Sequence, residues 1–357
     1  MAERPLGFGR RDSSASPDAA VELLIPGLVA LDDTIAAGLL PDRPKRSHKG
    51  AFGKVLVVAG SLDYAGAALL VCRAAGRAGA GLVTLAVPES LQPLFAAKVV
   101  EATTMALPED DVEEVDPEPA LARILDHDHD VIVVGPGLRP GLATAELVRM
   151  LLASPGEGDT PPLVLDAEAL RSLATMDRWW EGERRPAVLT PHSGEFERLR
   201  AGSGHEGGDG DLVGDDAARA AAAGDAATTW GQVVVLKGAK TVIAAPDGAV
   251  AVAPFENPAL ATGGTGDVLA GTIGALLAQG LDTFAGARLG VYLHGLAGET
   301  VRERIGDAGL LASDLPDPIA IARKRLATVA ERRAKNARLG FGSRETPTGE
   351  TVPGAPS

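Results

Sequence analysis

Short runs of apolar, often β-branched residues recur along this chain, and most of them end in a glycine, a proline or a polar residue. Such runs are typical of buried parallel strands. We predict strands over residues 54–59, 82–87, 131–134, 163–166, 187–190 and 233–236. Residues 241–244 and 249–252 are joined by Pro246-Asp247-Gly248, which predicts a hairpin.

Between these runs lie stretches with the spacing and composition of helices. One runs from Ala65 to Arg77, a short one covers 195–199, and an apolar one covers 268–279 and ends at Gly280. Strands that alternate with helices imply a mostly parallel sheet covered on both faces. The pattern therefore predicts an α/β fold with three layers, in the order helices, sheet, helices.

The composition narrows the class of protein. The chain has 357 residues, of which 45% are hydrophobic and only 3% aromatic, so a large core built from small side chains is expected. A formal charge of −14 argues against a nucleic-acid partner. Cys72 is the single cysteine and cannot form an internal disulfide. The single cysteine suits a reducing compartment, so we expect a cytoplasmic protein. No apolar stretch is long enough to cross a membrane.

Changes in composition suggest where the folded part begins and ends. Residues 1–20 and 331–357 are polar and irregular, so we predict two disordered tails around one domain over residues 21–330. Residues 201–211 are rich in Gly and Asp and predict a surface loop, with metal binding through its acidic residues and His205 as the alternative.

The most informative segment is residues 263–267, Gly-Gly-Thr-Gly-Asp, directly before the apolar helix. A glycine turn that leads into a helix N-terminus forms an anion site, because unpaired N–H groups and the positive end of the helix dipole face the same point. A carboxylate at that point would repel phosphate unless it handles a proton or a metal. Asp267 is therefore a candidate general base beside a phosphoryl group; the alternative is that it caps the helix.

Three segments that follow predicted strands could contact a ligand. Residues 60–67 lead into a helix and include Ala67, and Gly135-Pro136-Gly137 follows a buried strand. Helix packing and an ordinary turn are the alternatives. His192 follows another strand and could orient a substrate, while Glu195 could hold Mg²⁺ directly or through water; alternatively, both belong to the start of a helix.

A lysine-rich segment follows the strand over 233–236. It consists of Lys237, Gly238, Ala239, Lys240 and Thr241, which suit contact with a phosphate or nucleotide, although solvated lysines at a hairpin are the alternative. With the anion site and candidate base, these residues indicate phosphoryl transfer. Neither a Walker motif nor the protein-kinase motifs are present, and no G-x-G-x-x-G segment has the context of a dinucleotide site.

Taken in order, several motifs resemble one known family. Residues 263–267 resemble the G-[AT]-G-D signature of the ribokinase-like superfamily. The series resembles the bacterial ADP-dependent NAD(P)H-hydrate dehydratases over roughly residues 45–303. It comprises His48-Lys-Gly-Ala-Phe-Gly53, Tyr64-Ala-Gly-Ala67, Gly135-Pro-Gly137, Leu165-Asp-Ala167, Leu189-Thr-Pro-His-Ser-Gly-Glu195, Leu236-Lys-Gly-Ala-Lys-Thr241 and Tyr292-Leu-His-Gly-Leu-Ala-Gly298.

The resemblance implies a ribokinase-like fold and a repair enzyme. Members of the family dehydrate the S epimer of hydrated NADH or NADPH, consuming ADP and releasing AMP and phosphate; eukaryotic relatives use ATP. The resemblance also implies a role for each matching residue. The dinucleotide would contact Ala67, Gly137, His192 and Asp267; ADP would contact Lys237, Gly238, Ala239, Lys240, Thr241 and Gly266. Backbone N–H groups of Gly264, Thr265 and Gly266 would form an anion hole, and Glu195 resembles the Mg²⁺-linked glutamate of ribokinase relatives.

The chain departs from the family pattern at two positions that bear on binding. Lys240 stands where a small residue is common and could alter nucleotide preference, and Glu168 stands where aspartate is common. About 45 residues precede the match, so we expect the partner epimerase to be a separate protein. We also expect a homo-oligomer, with a tetramer as one candidate. Two other functions stay open: a ribokinase-like kinase of a sugar or hydroxymethylpyrimidine, and a catalytically silent nucleotide-binding regulator.

Overall fold

The computed structural model describes residues 28–154, 160–203, 212 and 214–338. Its strands are β1 (Leu28–Ala30), β2 (Lys54–Val58), β3 (Leu82–Pro88), β4 (Thr103–Leu107), β5 (Glu109–Asp111), β6 (Glu114–Val115), β7 (Val131–Val134), β8 (Leu163–Leu165), β9 (Ala187–Leu189), β10 (Val233–Leu236), β11 (Val242–Ala244) and β12 (Val250–Val252). Its helices are α1 (Asp33–Gly38), α2 (Ala65–Ala78), α3 (Gln92–Ala96), α4 (Pro117–Leu125), α5 (Leu142–Leu152), α6 (Glu168–Ala174), α7 (Ser193–Gly202), α8 (Asp216–Trp230), α9 (Thr265–Ala278), α10 (Thr283–Ile305) and α11 (Pro316–Arg338).

Ten of these strands form one twisted sheet in the order β1-β12-β11-β10-β9-β8-β7-β2-β3-β4. Every neighbouring pair is parallel except the two that involve β11, which runs antiparallel to β10 and to β12. The predicted strands all occur, within a residue or two at their ends, and so does the predicted hairpin of β11 and β12. A short β5–β6 ribbon lies apart from the main sheet.

Both faces of the sheet are buried, which explains why its strands are apolar at nearly every position. Along β2, Val55 and Val57 point into a core formed with α2, α9, α10 and α11. Leu56 and Val58 point into the opposite core, formed with α4, α5, α6, α7 and α8. The three-layer sandwich that the sequence predicts is therefore confirmed.

The strand order reverses between β2 and β7, and this places a crevice at their carboxyl ends. From β2 the chain continues outward through β3 and β4, whereas from β7 it continues the other way through β8, β9 and β10. Ligands of open α/β sheets bind at such a reversal. The loop after β2 and the loop after β7 meet there, where the Gly60 N–H donates to the Pro136 carbonyl at 2.9 Å.

The predicted start of the C-terminal tail at residue 331 is wrong. Helix α11 continues through these positions to Arg338. Residues 331–338 are all exposed, and their Arg, Lys, Ala and Glu side chains are good helix formers that need no core contact to extend a helix already anchored by its first turns. Residues 1–20, residues 339–357 and most of the predicted loop (204–211) lie outside the described residues.

No helix in the described part of the chain combines the length and the apolarity that a membrane span requires.

Candidate active site

The start of helix α9 is not capped by a side chain, as the predicted anion site requires. The helix begins at Thr265, three residues before the predicted Val268, because the positive φ of Gly264 (91°) lets the chain turn directly into it. No side chain caps this end. Within the described residues, the N–H groups of Gly266 and Asp267 have no hydrogen-bond partner, while that of Thr265 donates weakly to the Thr262 carbonyl at 3.4 Å.

Asp267 lies in the first turn of α9 and does not cap it, which removes the simpler explanation for an aspartate at this place. Burial raises the pKa of the Asp267 carboxyl, and the neighbouring Asp166 raises it further, whereas Lys237 lowers it; the resulting value is about 7. A carboxylate with a pKa near the pH of the cell accepts and releases protons readily. Asp267 is thus suited to act as a general base.

A cluster of charged side chains surrounds this carboxylate. Asp166 follows β8 and is only 2% exposed; it accepts hydrogen bonds from Lys237 Nζ and from Thr190 Oγ1, both at 2.8 Å. Lys237 Nζ also lies 3.9 Å from Glu195 Oε2. Burial lowers the pKa of Lys237, but Asp166 and Glu195 outweigh burial, so the net pKa is raised and the ammonium stays charged.

Asp166 was not predicted as a site residue, although a signal was present. An acidic residue directly after a buried parallel strand lies at the edge of the sheet where ligands bind. The sequence places Asp166 at the end of the predicted strand 163–166 and in the family motif Leu165-Asp166-Ala167.

A cavity of about 520 Å³ opens beside the start of α9. Its lining includes the predicted nucleotide-binding residues Lys237, Gly238, Ala239, Thr241 and Gly266, which the structure brings together. The lining also includes apolar residues, namely Ala253, Phe255, Leu260, Leu269 and Val291. A cavity that combines a lysine with apolar side chains suits a ligand that has both phosphates and a flat ring.

The Lys240 side chain does not belong to this set. It does not line the cavity, and its Nζ lies 3.2 Å from a carboxylate oxygen of Asp216 and 3.2 Å from one of Glu256. The Lys240 N–H donates to the Phe255 carbonyl. These contacts tie the loop after β10 to helix α8 and to the segment after β12. A role for Lys240 in contacting the nucleotide stays a prediction.

Arg219 contacts the end of β10, where the same loop begins. No feature of the sequence predicted this contact. Arg219 lies in the alanine-rich helix α8, is 2% exposed, and donates to the Leu236 carbonyl at 3.1 Å and to the Leu212 carbonyl at 2.7 Å. A methyl group added at Gly238 would lie 2.7 Å from its guanidinium. The buried cation therefore fixes the backbone at Gly238 just beneath the cavity.

His192 and Glu195 form a capping box at the start of α7. His192 Nδ1 accepts from the Gly194 and Glu195 N–H groups, at 3.1 and 3.4 Å, and Glu195 Oε2 accepts from the His192 N–H at 2.9 Å. Both residues therefore belong to the start of a helix, which was the alternative to a role in binding. The His192 ring is still 56% exposed and remains available to a ligand; its substrate role stays a prediction.

A metal site made by the protein alone is absent from the described residues, where no group of three or more His, Cys, Asp or Glu side chains could hold an ion. Mg²⁺ commonly binds through one or two carboxylates with substrate phosphates and water. The Asp166–Glu195–Asp267 cluster, in which Lys237 is the neighbouring cation, fits such a shared site. The role of Glu195 toward Mg²⁺ stays a prediction.

Ala67 and Gly137, predicted to contact the dinucleotide, lie side by side at the strand reversal. Gly137 has a φ of 66°, and a methyl group added there would lie 2.9 Å from Ala67 Cβ. One turn along α2, Leu70 packs against Gly264, since a methyl at Gly264 would lie 2.9 Å from Leu70 Cδ1 and 3.7 Å from Asp267 Oδ2. Helix α2 therefore connects the Ala67–Gly137 contact to the glycine turn that precedes Asp267.

Comparison with known proteins gives a consistent result. A family model described as NAD(P)H-hydrate dehydratase matches residues 55–320. The bifunctional NAD(P)H-hydrate repair enzyme Nnr of Moorella thermoacetica is 43% identical over 78% of this chain and 50% of its own length. The ADP-dependent (S)-NAD(P)H-hydrate dehydratase of Xanthomonas campestris pv. campestris is 37% identical over 80% of this chain and 94% of its own.

A solved structure extends the likeness to three dimensions. The ADP/ATP-dependent NAD(P)H-hydrate dehydratase of Bacillus subtilis, co-crystallised with ATP and Mg²⁺, is 32% identical and superposes with a TM-score of 0.69 over 84% of this chain and 99% of its own. The predicted ribokinase-like fold class is confirmed. The chain spans about half the length of the bifunctional curated relatives that it matches.

Proposed function

Because the chain belongs to the NAD(P)H-hydrate dehydratase family, we propose that it dehydrates the S epimer of hydrated NADH or NADPH at the expense of ADP. The ring hydroxyl attacks the β-phosphorus of ADP, so that AMP leaves and a phosphate ester forms. The ester C–O bond then breaks, phosphate leaves, and a proton is lost from the adjacent ring carbon. The products are NADH or NADPH, AMP and phosphate.

The observation that carries this proposal is the place of Asp267. Asp267 lies in the first turn of α9, directly after Gly266 of the cavity lining, and the glycine turn before it packs against Leu70 of α2, one turn after Ala67. There Asp267 would take the hydroxyl proton as oxygen attacks phosphorus. The free N–H groups of Gly266 and Asp267 would stabilise the negative charge that develops on the phosphoryl oxygens. Lys237 adds a fixed positive charge at the same point.

Mg²⁺ would be held by phosphate oxygens and, through water, by Glu195, with Asp166 nearby. When bound, the ion neutralises phosphoryl oxygens. Residues of the protein, and not the ion, would align the ring hydroxyl and remove its proton.

The proposal extends to the cellular setting. The bifunctional relatives carry the name of a repair enzyme, and we propose that this chain works with an NAD(P)HX epimerase activity that supplies the S epimer. We further propose a homo-oligomeric enzyme that works in the cytoplasm. Sedimentation analysis of the purified protein would test the oligomeric state.

The experiment that tests the function is a spectrophotometric assay. Purified protein is incubated with S-NADHX, Mg²⁺ and either ADP or ATP, and NADH is followed by its absorbance at about 340 nm. We expect NADH and free phosphate to form together in equal amounts. A stable phosphorylated sugar or pyrimidine, with no NADH formed, would instead establish the kinase alternative. Nucleotide binding with no turnover of any substrate would establish the silent regulator.

The pH dependence of kcat/KM should reflect the ionisation of the Asp267 carboxyl. Because the base must be ionised, kcat/KM should rise with pH through an apparent pKa of about 7 and level off above it. Asp166 raises this pKa, so Asp166→Asn should move the acid limb to lower pH. The measurement is a kcat/KM profile from pH 5 to 9 for both proteins. Coincident acid limbs would disprove the coupling between the two carboxylates.

The apolar part of the cavity lining should be sensitive to a single methyl group. A Cβ at Gly295 would lie 2.1 Å from the Phe255 ring, so Gly295→Ala should push that ring into the cavity. We expect the KM for ADP to rise about tenfold, while the KM for NADHX changes little. Gly76→Ala is the matched control, because a methyl group there meets nothing within 4 Å. An unchanged KM for ADP in folded Gly295→Ala would contradict this placement of the nucleotide.

A further inference from the structure

Two arginines lie close together near the amino ends of β2 and β3, at the edge of the sheet opposite the candidate active site. Arg43, in the segment before β2, donates to the Gly79 carbonyl at 2.8 Å. Arg323, on α11, donates to the carbonyl of the preceding residue, Ala78, at 3.1 Å. Gln279 joins the two, since its Oε1 accepts from Arg43 and its Nε2 donates to the Ala78 carbonyl, both at 3.3 Å. Helix α9 has 14 residues, so about 20 Å separates this arginine cluster from the start of the helix.

Further contacts fix the position of both guanidinium groups. The guanidinium carbon of Arg43 lies 3.7 Å from the centroid of the Phe52 ring, a cation–π contact. Arg323 donates a second hydrogen bond, from Nη2 to the Pro41 carbonyl at 3.4 Å. A guanidinium has five N–H groups, and these contacts do not use all of them. Within the described residues, Nε and Nη2 of Arg43 and Nε of Arg323 have no hydrogen-bond partner.

The two positive charges have no carboxylate partner in the part of the chain that the structure describes. Burial lowers the pKa of Arg43; burial, and then the neighbouring Arg43, lower the pKa of Arg323 to about 10, and no carboxylate opposes either shift. Arg325, on the same helix, does have a partner, since it lies 2.7 Å from Asp33. One cation is enough to stabilise the carbonyl end of α2, whereas a second beside it adds repulsion that a bound anion would relieve.

The surface around the arginine cluster is also positive, although the formal charge of the whole chain is −14. Lys45, Arg46 and Lys49 lie in the same segment as Arg43, and all three are exposed. Asp42 is the single acidic residue in the sequence from 41 to 53. A local concentration of cations attracts anions even on an acidic protein.

We propose that the arginine cluster is a second anion site, separate from the candidate active site, which binds a phosphate group through the unused N–H donors of Arg43 and Arg323. Planar guanidinium groups bind phosphate oxygens with paired hydrogen bonds. A phosphate group carries between one and two negative charges at neutral pH and so matches two adjacent cations better than a carboxylate does. The ligand is a small molecule, either free phosphate or a mononucleotide, because both present the same group.

Amide NMR of the isotope-labelled full chain tests this site residue by residue. Inorganic phosphate is added at constant ionic strength, and the signals of the Gly79 N–H and of the Gln279 side-chain amide monitor the arginine cluster. The signal of the Gly266 N–H monitors the candidate active site separately. We expect the Gly79 and Gln279 signals to shift together and to saturate with one Kd of about 1 mM. Potassium chloride at the same ionic strength should leave them in place.

Variants connect the shifts to the two arginines. Arg43→Gln and Arg323→Gln should each weaken phosphate binding at the arginine cluster about tenfold, because each removes a charged donor. The response of Gly266 to phosphate should not change. Arg43→Lys, which keeps the charge and loses the planar group, should weaken binding less. Arg325→Gln is the matched control: it removes a cation from α11 that is already paired with Asp33, and the Kd should stay within twofold of the wild type.

A titration with AMP distinguishes the two sources of the phosphate group. If AMP binds the arginine cluster more tightly than inorganic phosphate does, the ligand is a mononucleotide; if AMP binds equally or more weakly, the ligand is free phosphate. Signals that shift with neither compound at ten times the expected Kd, or that shift equally in Arg43→Gln, would overturn the inference. These results are independent of the proposed function, which the NADHX assay tests by itself.

Discussion

Asp267→Asn should lower kcat by a factor on the order of 10² or more and leave both KM values little changed. The amide occupies the same space and cannot take the proton from the attacking hydroxyl, so the loss falls on the transition state and not on binding. The measurement is steady-state kinetics with S-NADHX and ADP. A variant that keeps near-native turnover would refute the assignment of Asp267 as the base.

A stability measurement distinguishes this loss from misfolding. The pKa of Asp267 in the folded protein is about 7, well above the ordinary aspartate value, so ionisation of its carboxylate costs the folded state free energy. The cost is absent below the ordinary pKa, grows as the pH rises toward 7, and is complete above 7. Asp267→Asn should therefore melt several degrees higher than the wild type at pH 8, and the difference should vanish near pH 3.

Asp282→Asn is the matched control for this substitution. Asp282 also lies at a helix start, but it caps α10 by accepting the Ala285 N–H at 2.7 Å. Asparagine caps a helix about as well as aspartate. The rate of this variant should equal that of the wild type, which would show that the effect at position 267 depends on the carboxylate.

Lys237→Met should damage stability and activity together. The substitution leaves the buried Asp166 and its neighbour Glu195 without their cation, and removal of one partner from a buried ion pair costs about 3–5 kcal/mol. We expect Tm to fall by about 5–10 °C and kcat/KM by about 10² or more, since the charge beside the phosphates is lost. The acid limb of the pH profile should also move to higher pH, because Lys237 lowers the pKa of Asp267.

The double variant Asp166→Asn with Lys237→Met separates the two effects. With both side chains replaced, the Asp166–Lys237 pair leaves no unpaired charge behind. The introduced asparagine can still accept a hydrogen bond from Thr190 through its side-chain oxygen. Most of the lost Tm should return, while kcat/KM stays low. If the double variant is no more stable than Lys237→Met, the ion pair is not the source of the lost stability.

The local pattern was sufficient for the parts of the fold that depend on short-range physics. A strand buried on both faces must be apolar along its length, so β2, β7 and β10 were visible as Val- and Leu-rich runs. The long helix α10 was not assigned, because it is buried on most sides and its glycines and apolar residues give no amphipathic period. Helix α11 was not assigned either, and the tail was predicted to begin at residue 331, because the last turns of this helix are polar all round.

Within the candidate site, a residue could be predicted from the sequence when the residues that give it its role lie close to it along the chain. The Gly-rich start of α9 and its aspartate were found because the turn, the helix and the carboxylate are contiguous. Asp166 was missed as a site residue because its significance comes from Lys237, which lies 71 residues away along the chain. The finding that Asp267 does not cap the helix likewise required coordinates.

By itself, then, the sequence determined the layers of the fold, the glycine turn before α9 and the order of the family motifs, since each depends on neighbours along the chain. Only the tertiary structure showed that Asp267 does not cap helix α9. It also showed that Lys237 lies between Asp166 and Glu195. In the same way, it showed that Lys240 pairs with Asp216 and Glu256. The physical reason is that burial and charge act through space. A carboxyl group acquires its pKa and its partners from whichever strands and helices the fold brings around it.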